Sequence, residues 1–194
     1  MSRVRRMAQT MIMAGPLAGT TQEATRNRMF ETTQTPQALT FRLSSDRRKL
    51  GRLLTLSATY LKAQGARQTP RFLIVLRELV LNAITHGNRN DPDRLLVCRI
   101  IRDRRRDRFV ISVRDGGAGF DYRSLDMALP ENPAGIHRRG YILVNQIADS
   151  IRFNKAGNRV TAFLSNRPGG PDRDFGYIGR SAASAGPDPP MTPP

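Results

Sequence analysis

The feature that most constrains the fold is a long apolar run, RFLIVLRELVLNAITH, at residues 71–86. Thr69 and Pro70 precede it as an N-cap and a first helical residue, and Gly87 follows it as a helix end. The pattern therefore predicts a helix from Thr69 to about His86. Because its side chains are apolar on most sides, this helix must lie buried in the centre of a domain.

Two polar residues interrupt this run. Glu78 and Asn82 are four residues apart, so they project from the same face of the predicted helix. A carboxylate and an amide in an apolar setting are costly unless a partner satisfies them, and a ligand or a metal ion would do so. The alternative is that both lie on a narrow exposed stripe with Arg77 and Thr85. The helix alone does not distinguish these two interpretations.

The rest of the central segment alternates between strand and helix patterns. Strands are predicted at ALTFRLSS (38–45), RLLVCRIIR (94–102), RFVISVRD (108–115), SIRFN (150–154) and NRVTAFLS (158–165). The other predicted helices are DRRKLGRLLTLSATYLKAQG (46–65), which Ser45 would cap, and GYILVNQIADS (140–150). Strands joined in hairpins with helices between them favour an α+β two-layer sandwich, with helices on one face of a mostly antiparallel sheet.

Composition separates this segment from both ends of the chain. Residues 1–37 show no sustained period, and residues 167–194 are rich in proline and glycine. We expect both segments to be disordered tails on either side of one domain at residues 38–166.

A second segment that could carry chemistry, VRDGGAGFD (113–121), follows a predicted strand. Asp115 at the strand end supplies a hydrogen-bond acceptor, and Gly117 and Gly119 leave space beside it. Glycine-rich turns after strands are common, so the pattern by itself is equally compatible with an ordinary turn.

A third segment, GIHRRGYILVNQIAD (135–149), places a basic loop directly before a predicted helix. Free N–H groups at a helix N-terminus bind phosphate, and Arg138 and Arg139 add positive charge for the same task. The alternative is an ordinary basic loop in an arginine-rich chain. Thr161, on the last predicted strand, is by itself a common strand former.

In this order and context, the segments resemble the GHKL superfamily of ATP-binding domains, also called the Bergerat fold. More narrowly, they resemble the anti-sigma-factor serine/threonine kinases of bacterial partner-switching systems. ELVLNAITHGN is similar to the N box of that family, RDGGAGFD to its first glycine box, and RRGYILVNQIADSIRFNKAGNRVTAFL to its second glycine box and closing hairpin. The resemblance covers residues 38–166.

The resemblance implies a nucleotide site with ATP and Mg2+ as cofactors. Asn82 would hold the Mg2+ that bridges the phosphates, and Glu78 would be the catalytic general base. Asp115 would accept a hydrogen bond from the adenine amino group, while Gly117 and Gly119 would make room for the adenine.

The resemblance also implies phosphate contacts near the third segment. Arg138, Arg139 and Gly140 would face the phosphates under a lid formed by residues 120–139, and Thr161 would reach the adenine through water. Arg138 departs from the family, since it stands where the second glycine box usually has its first glycine. Its side chain would either crowd the triphosphate or supply a cation to it.

The implied function is an ATP-dependent protein serine/threonine kinase that is also an anti-sigma factor. Such a protein sequesters a sigma factor, phosphorylates a small antagonist protein and can form a homodimer through its first strand and helix. An alternative is a catalytically weak or inactive nucleotide-binding switch that acts by sequestration only. The ATPase portion of a sensor histidine kinase is disfavoured, because His86 and His137 are the only histidines and neither lies on a long upstream helix.

Charge adds a further alternative. The chain carries 32 Lys and Arg residues against 16 Asp and Glu residues, a net charge of +16, which attracts nucleic acid or acidic proteins. Aromatic residues make up only 6% of the chain, and the arginine cluster at 104–106 falls on a predicted turn, so a nucleic-acid-binding domain is the less favoured function. The apolar runs are too short to cross a bilayer, and we expect a cytoplasmic protein.

Overall fold

The structure is a computed structural model that describes residues 29–125 and 139–167. The strands are β1 (Phe30–Gln34), β2 (Ala38–Ser44), β3 (Leu95–Asp103), β4 (Arg108–Arg114), β5 (Ser150–Phe153) and β6 (Arg159–Ser165). The helices are α1 (Leu50–Ala63), α2 (Thr69–Asn82) and α3 (Arg139–Ile147), with a π-helical turn (Ala83–Gly87) that extends α2. No helix in this part of the chain is long and apolar enough to span a bilayer.

The strands form one sheet in the order β1-β2-β3-β4-β6-β5, and each neighbouring pair is antiparallel. The predicted α+β arrangement, with helices packed on an antiparallel sheet, is confirmed. The end of β4 lies between β3 and β6, because Arg114 is in register with Val97 on one side and Arg159 on the other. A loop that leaves β4 therefore starts in the middle of the sheet.

The two faces of the sheet differ in burial. Along β4, Phe109, Ile111 and Val113 are buried, whereas Val110 and Ser112 remain partly exposed. Successive strand residues point to opposite faces, so the buried set marks the face that the helices cover. The residues of the opposite face stay partly exposed along β3 and β6 as well.

Helix α2 lies at the centre of the helical layer, in contact with both α1 and α3. Its Phe72 ring packs against Phe109 of β4, with ring centroids 4.9 Å apart. The sequence prediction of a buried central helix is therefore confirmed. The α2 side chains in the core are Phe72, Val75, Leu76, Leu79 and Val80.

The sheet begins earlier than the sequence predicts. The sequence predicts residues 1–37 as a disordered tail, whereas β1 forms within them and pairs with β2. Phe30 anchors this strand, because its ring lies 5.9 Å from the Phe41 ring and 4.5 Å beneath the Arg52 guanidinium. The rest of β1 is polar and exposed, so it shows no apolar alternation. The remainder of both predicted tails lies outside the described residues.

Ser45 does not cap α1 as the sequence predicts. Asp46 instead accepts a hydrogen bond from Arg48 N–H at 2.9 Å, in a short 3-10 turn that precedes the helix. The Ser45 hydroxyl donates to the Arg94 carbonyl at 2.9 Å, which ties the end of β2 to the start of β3.

Candidate functional site

The carboxyl-terminal end of α2 carries both polar residues of the apolar run. Asn82 is 8% exposed, and its Nδ2 atom has no hydrogen-bond partner within the described residues. Glu78 keeps 16% of its side chain exposed, and its carboxylate contacts the Arg77 guanidinium. The exposed-stripe interpretation therefore fails for Asn82. A buried donor left unsatisfied costs about 1–3 kcal/mol, so this position favours a ligand contact over simple packing.

Gly140, in the first turn of α3, lies directly against these two side chains. A Cβ built on Gly140 would lie 2.9 Å from Asn82 Nδ2 and 3.1 Å from Glu78 Oε2. The backbone of α3 can approach this closely only because position 140 has no side chain. The free N–H groups at the start of α3 therefore lie beside the carboxylate and the amide.

Asp115 reaches the same side of the sheet through strand alternation. Val113 is buried under the helices and Arg114 is exposed, so Asp115 again lies on the helical side. A Cβ on Gly87, at the end of the π turn, would overlap the Asp115 carboxylate. Asp115 Oδ1 accepts a hydrogen bond from Gly117 N–H at 2.8 Å, which leaves Oδ2 without a partner among the described residues. Burial raises the pKa of Asp115.

The π turn joins these two groups of residues. Asn82 and Gly87 are five positions apart, which corresponds to about 7.5 Å along the axis of an α-helix. Wide turns of this kind occur frequently at functional sites. The structure thus brings three predicted segments together, with Glu78, Asn82 and Gly140 at one end and Gly87, Asp115 and Gly117 at the other.

Asn88, which the sequence patterns do not single out, holds in place the segment at residues 116–119, called here the glycine segment. This fully buried amide donates to the Ser45 hydroxyl at 2.6 Å and to the Leu95 carbonyl at 3.1 Å. Its Oδ1 accepts a hydrogen bond from Gly116 N–H at 2.8 Å. One side chain therefore fixes β2, β3 and the glycine segment together. In the sequence, an asparagine after a helix-ending glycine is equally typical of a turn.

Gly119 makes its close approach to the turn between β5 and β6. Its φ is 84°, and a Cβ at this position would overlap the Ala156 carbonyl oxygen. In the same turn, the Asn158 carbonyl accepts a hydrogen bond from Asp115 N–H at 3.0 Å, and its Nδ2 donates to the Gly117 carbonyl at 3.2 Å. The glycine segment is thus held from both sides. A contact of Gly119 with a nucleotide base stays a prediction.

Thr161 does not join this cluster. Its neighbours Val160 and Ala162 are buried on the helical side of the sheet, so Thr161 lies on the opposite face. There its hydroxyl donates to Ser112 Oγ at 3.2 Å. The implied water-mediated contact of Thr161 with adenine does not fit this placement, because a shift of one residue along a strand reverses the face.

The two predicted phosphate-binding arginines are only partly described. Arg139 begins α3, directly before the glycine that packs on Asn82. Arg138 lies outside the described residues, as does most of the lid predicted at residues 120–139. Phosphate contacts by either arginine therefore stay predictions.

The side chains present fit a magnesium nucleotide better than a metal ion held by protein alone. Within the described ranges, no group of three or more His, Cys, Asp or Glu residues could hold a metal ion. Mg2+ typically takes one or two protein ligands and completes its octahedral shell with phosphate oxygens and water. The unpartnered Asn82 Nδ2 donor suits a phosphate oxygen beside the first turn of α3, and Oδ1 of the same amide is the oxygen that would hold Mg2+.

Comparison with known proteins agrees with this geometry. The family described as the histidine kinase-like ATPase domain matches residues 37–164, a range that includes both ends of the cluster. No curated protein matches the sequence. The match covers most of the chain and supports ATP binding with kinase-like chemistry. The chain belongs to the histidine kinase-like ATPase domain family.

Proposed function

We propose that this protein is an ATP-dependent protein serine/threonine kinase that also acts as an anti-sigma factor. The observation that carries the proposal is the packing of Gly140 against Glu78 and Asn82, with Asp115 one π turn away. Family membership supports ATP binding and kinase-like chemistry. The resemblance of the three motifs to anti-sigma-factor kinases supports the more specific role.

Asn82 provides the metal and phosphate contacts in this proposal. Its Oδ1 would hold Mg2+, and its Nδ2, which has no partner among the described residues, would donate to a phosphate oxygen. When bound, Mg2+ neutralises charge on the β- and γ-phosphates. The N–H groups at the start of α3 add positive potential beside the same oxygens.

Glu78 acts on the attacking hydroxyl. Its carboxylate accepts the proton of a serine or threonine hydroxyl as that oxygen forms a bond to the γ-phosphorus. The bond from the γ-phosphorus to the bridging oxygen breaks, and ADP leaves with that oxygen. The proximity of Glu78 Oε2 to the first turn of α3 supports this role, because the phosphates are expected beside that turn.

Asp115 recognises the nucleotide base at the other end of the site. Asp115 Oδ1 is held by Gly117 N–H, so the carboxylate orientation is set in advance of ligand binding. Its Oδ2 then accepts a hydrogen bond from the adenine amino group. Guanine presents an oxygen at that position, so Asp115 should favour ATP over GTP.

Calorimetric titration with ATP, in the presence and absence of Mg2+, tests this assignment. We expect Asn82→Ala and Asp115→Ala each to weaken ATP binding at least tenfold, with the Mg2+ dependence lost only in Asn82→Ala. Gln146→Ala and Asp93→Ala are matched controls, because both side chains are exposed. Unchanged ATP affinity in both site variants would refute the nucleotide site.

A second experiment isolates the base. Glu78→Gln keeps the side-chain shape, so ATP binding should persist while transfer of the γ-phosphate to an antagonist protein falls about 10²–10⁴-fold. Glu31→Gln, on the exposed strand β1, makes the same chemical change outside the site. Radiolabelled γ-phosphate and phosphoserine or phosphothreonine analysis measure the transfer. A Glu78→Gln variant as active as wild type would remove Glu78 as the base.

The ion pair between Arg77 and Glu78 favours a second candidate function. A guanidinium that occupies the carboxylate competes with the attacking hydroxyl, and this would leave a nucleotide-binding switch that acts by sequestration. Such a protein binds ATP but transfers no phosphate. In that case Arg77→Leu should raise the transfer rate, and an unchanged rate would exclude the ion pair as the cause.

The partners require their own test. The proposal expects the ATP-bound protein to bind a sigma factor and to release it when an unphosphorylated antagonist is added. We also expect a homodimer formed through the first strand that the sequence predicts, which is β2 in the structure, and α1. Sedimentation of the protein alone, then with each candidate partner, measures both expectations.

A further inference from the structure

The sheet face opposite the helices is strongly basic. Residues paired across antiparallel strands share a face, and so does every second residue along one strand. The surface that contains Thr161, its cross-strand partners and every second residue along each of those strands is called the open face. Its arginines are Arg42, Arg99, Arg108, Arg114, Arg152 and Arg159. Its acidic strand residues are Glu31, opposite Arg42, and Asp103, opposite Arg108.

Most of this charge is not neutralised within the structure. Asp103 is already engaged, because its carboxylate contacts Arg108 at 2.9 Å and Arg106 at 3.6 Å. Among residues 29–125 and 139–167, no carboxylate pairs with four arginines of the open face, namely Arg42, Arg99, Arg114 and Arg152. The open face therefore presents a concentrated positive potential.

An apolar row crosses the middle of the open face. Ile101, Val110 and Phe163 are adjacent in register on β3, β4 and β6, and each is partly exposed. At the usual strand spacing this row is roughly 10 Å long. Phe163 lies between two cations, with the Arg108 and Arg152 guanidinium carbons 4.7 Å and 5.2 Å from its ring centroid.

Arginines border this apolar row on both sides. Arg99 and Arg152 lie in the next register row toward Thr161, about 7 Å away along the strands, and Arg108 lies in the row on the other side. An apolar centre with a polar rim, enriched in arginine and aromatic residues, is the usual composition of a protein–protein interface. The open face therefore combines two features that a single partner can match.

Two observations favour a protein over a nucleic acid as that partner. Binding to phosphate backbones needs positive charge but no apolar row at its centre. Single-stranded nucleic acid usually stacks its bases on free aromatic rings, whereas the Phe163 ring is occupied by two guanidinium groups.

We propose that the open face binds an acidic, amphipathic protein segment. Apolar side chains of the segment pack on Ile101 and Val110, next to the Phe163 ring that the guanidinium groups cover, and its carboxylates pair with Arg99 and Arg152. Arginine suits this role because its planar donors match a carboxylate in bidentate geometry. The nucleotide site lies on the other side of the sheet, so this inference does not rest on the proposed kinase function.

A synthetic helical peptide, with a leucine stripe flanked by glutamates, provides a defined probe of the full chain. We expect the double variant Arg99→Ser/Arg152→Ser to bind this fluorescent peptide at least tenfold more weakly than wild type. Lys62→Ser/Arg105→Ser removes the same charge from two exposed positions off the open face and should change the affinity less than twofold. Equal losses in the two double variants would overturn the proposal, because only net charge would then matter.

The apolar row is tested without a change of charge. Val110→Thr keeps a β-branched side chain of similar size and should weaken peptide binding about threefold while thermal unfolding shows the fold intact. Polyglutamate and single-stranded DNA of equal charge should bind wild type more weakly than the peptide does. If Val110→Thr binds the peptide as wild type does, or if polyglutamate or DNA binds as tightly as the peptide, the inference is wrong. If these variants still bind ATP as wild type does, their loss of peptide binding cannot be attributed to damage at the nucleotide site.

Discussion

Gly140→Ala should reveal how closely α3 packs on the polar end of α2. Gly140 and Gly51 are each the second residue of a helix, in α3 and α1 respectively. A Cβ on Gly51 would meet no atom within 4 Å, whereas a Cβ on Gly140 would lie 2.9 Å from Asn82 Nδ2. The same substitution therefore adds a methyl group to open space in one helix and to an occupied site in the other.

The two substitutions should change the free energy of unfolding in opposite directions. Alanine is favoured over glycine in a helix by roughly 0.5–1 kcal/mol, so Gly51→Ala should raise the free energy of unfolding by up to that amount. Gly140→Ala makes the same gain, but overpacking costs about 1–3 kcal/mol. We expect the two variants to differ by ~2 kcal/mol, with Gly140→Ala the less stable. For a domain of this size the melting temperatures should differ by roughly 4–8 °C.

Urea unfolding of both variants measures the stability difference, and ATP titration measures its effect on the site. Gly140→Ala should also weaken ATP binding, because the added methyl group displaces either Asn82 or the first turn of α3. Gly51→Ala should bind ATP as wild type does. If both variants gained the same stability and bound ATP equally, the close contact between Gly140 and the two polar side chains would be refuted.

Three further predictions concern buried polar groups and the thiol. Asp115→Asn keeps an acceptor for Gly117 N–H but removes a carboxylate whose pKa is raised by burial. In urea titrations, the free energy of unfolding of wild type should therefore fall relative to that of the variant as the pH rises from 4 to 7. The variant should also bind ATP more weakly. A variant that loses stability against wild type over that pH range would contradict this sign. Asn88→Ala leaves the Ser45 hydroxyl and two backbone groups without a buried partner and should cost about 3 kcal/mol in urea unfolding, with weaker ATP binding; a cost below about 1 kcal/mol would refute its bridging role. Burial raises the pKa of Cys98 to about 12, so a thiol reagent at neutral pH should label it only at urea concentrations that unfold the domain. Labelling of the folded protein as fast as that of an exposed thiol would contradict the burial of Cys98.

Several elements follow from local patterns alone. The central helix is predictable because its proline and its apolar run indicate the same structure, although Gln68 and not the predicted Thr69 stands at the N-cap, without a side-chain hydrogen bond. The strands β2, β3, β4 and β6 are predictable because alternation and β-branched residues agree along each of them. β1 could not be predicted in this way, since its pairing depends on β2 and on one anchoring ring, Phe30.

The candidate site also has residues that the sequence indicates and residues that only the structure reveals. The order of the motifs along the chain is enough to indicate Glu78, Asn82, Asp115 and Gly140 as candidate residues. Asn88 escapes notice, because its three hydrogen-bond partners are distant in sequence or lie in backbone. Thr161 lies on the other face of the sheet from these residues, which local sequence could not reveal because the face of a strand residue depends on the register of the whole strand.

The sequence by itself determined the type of most elements, the buried central helix and the family to which the chain is similar, because these depend on the chemistry of neighbouring residues. Tertiary structure alone decided which side chains meet. The approach of Gly140 to Asn82 and of Gly87 to Asp115 depends on how α3 and β4 pack against α2, and the basic open face exists only once five strands are in register. Contacts between distant segments arise from packing, and packing is a property of the whole chain.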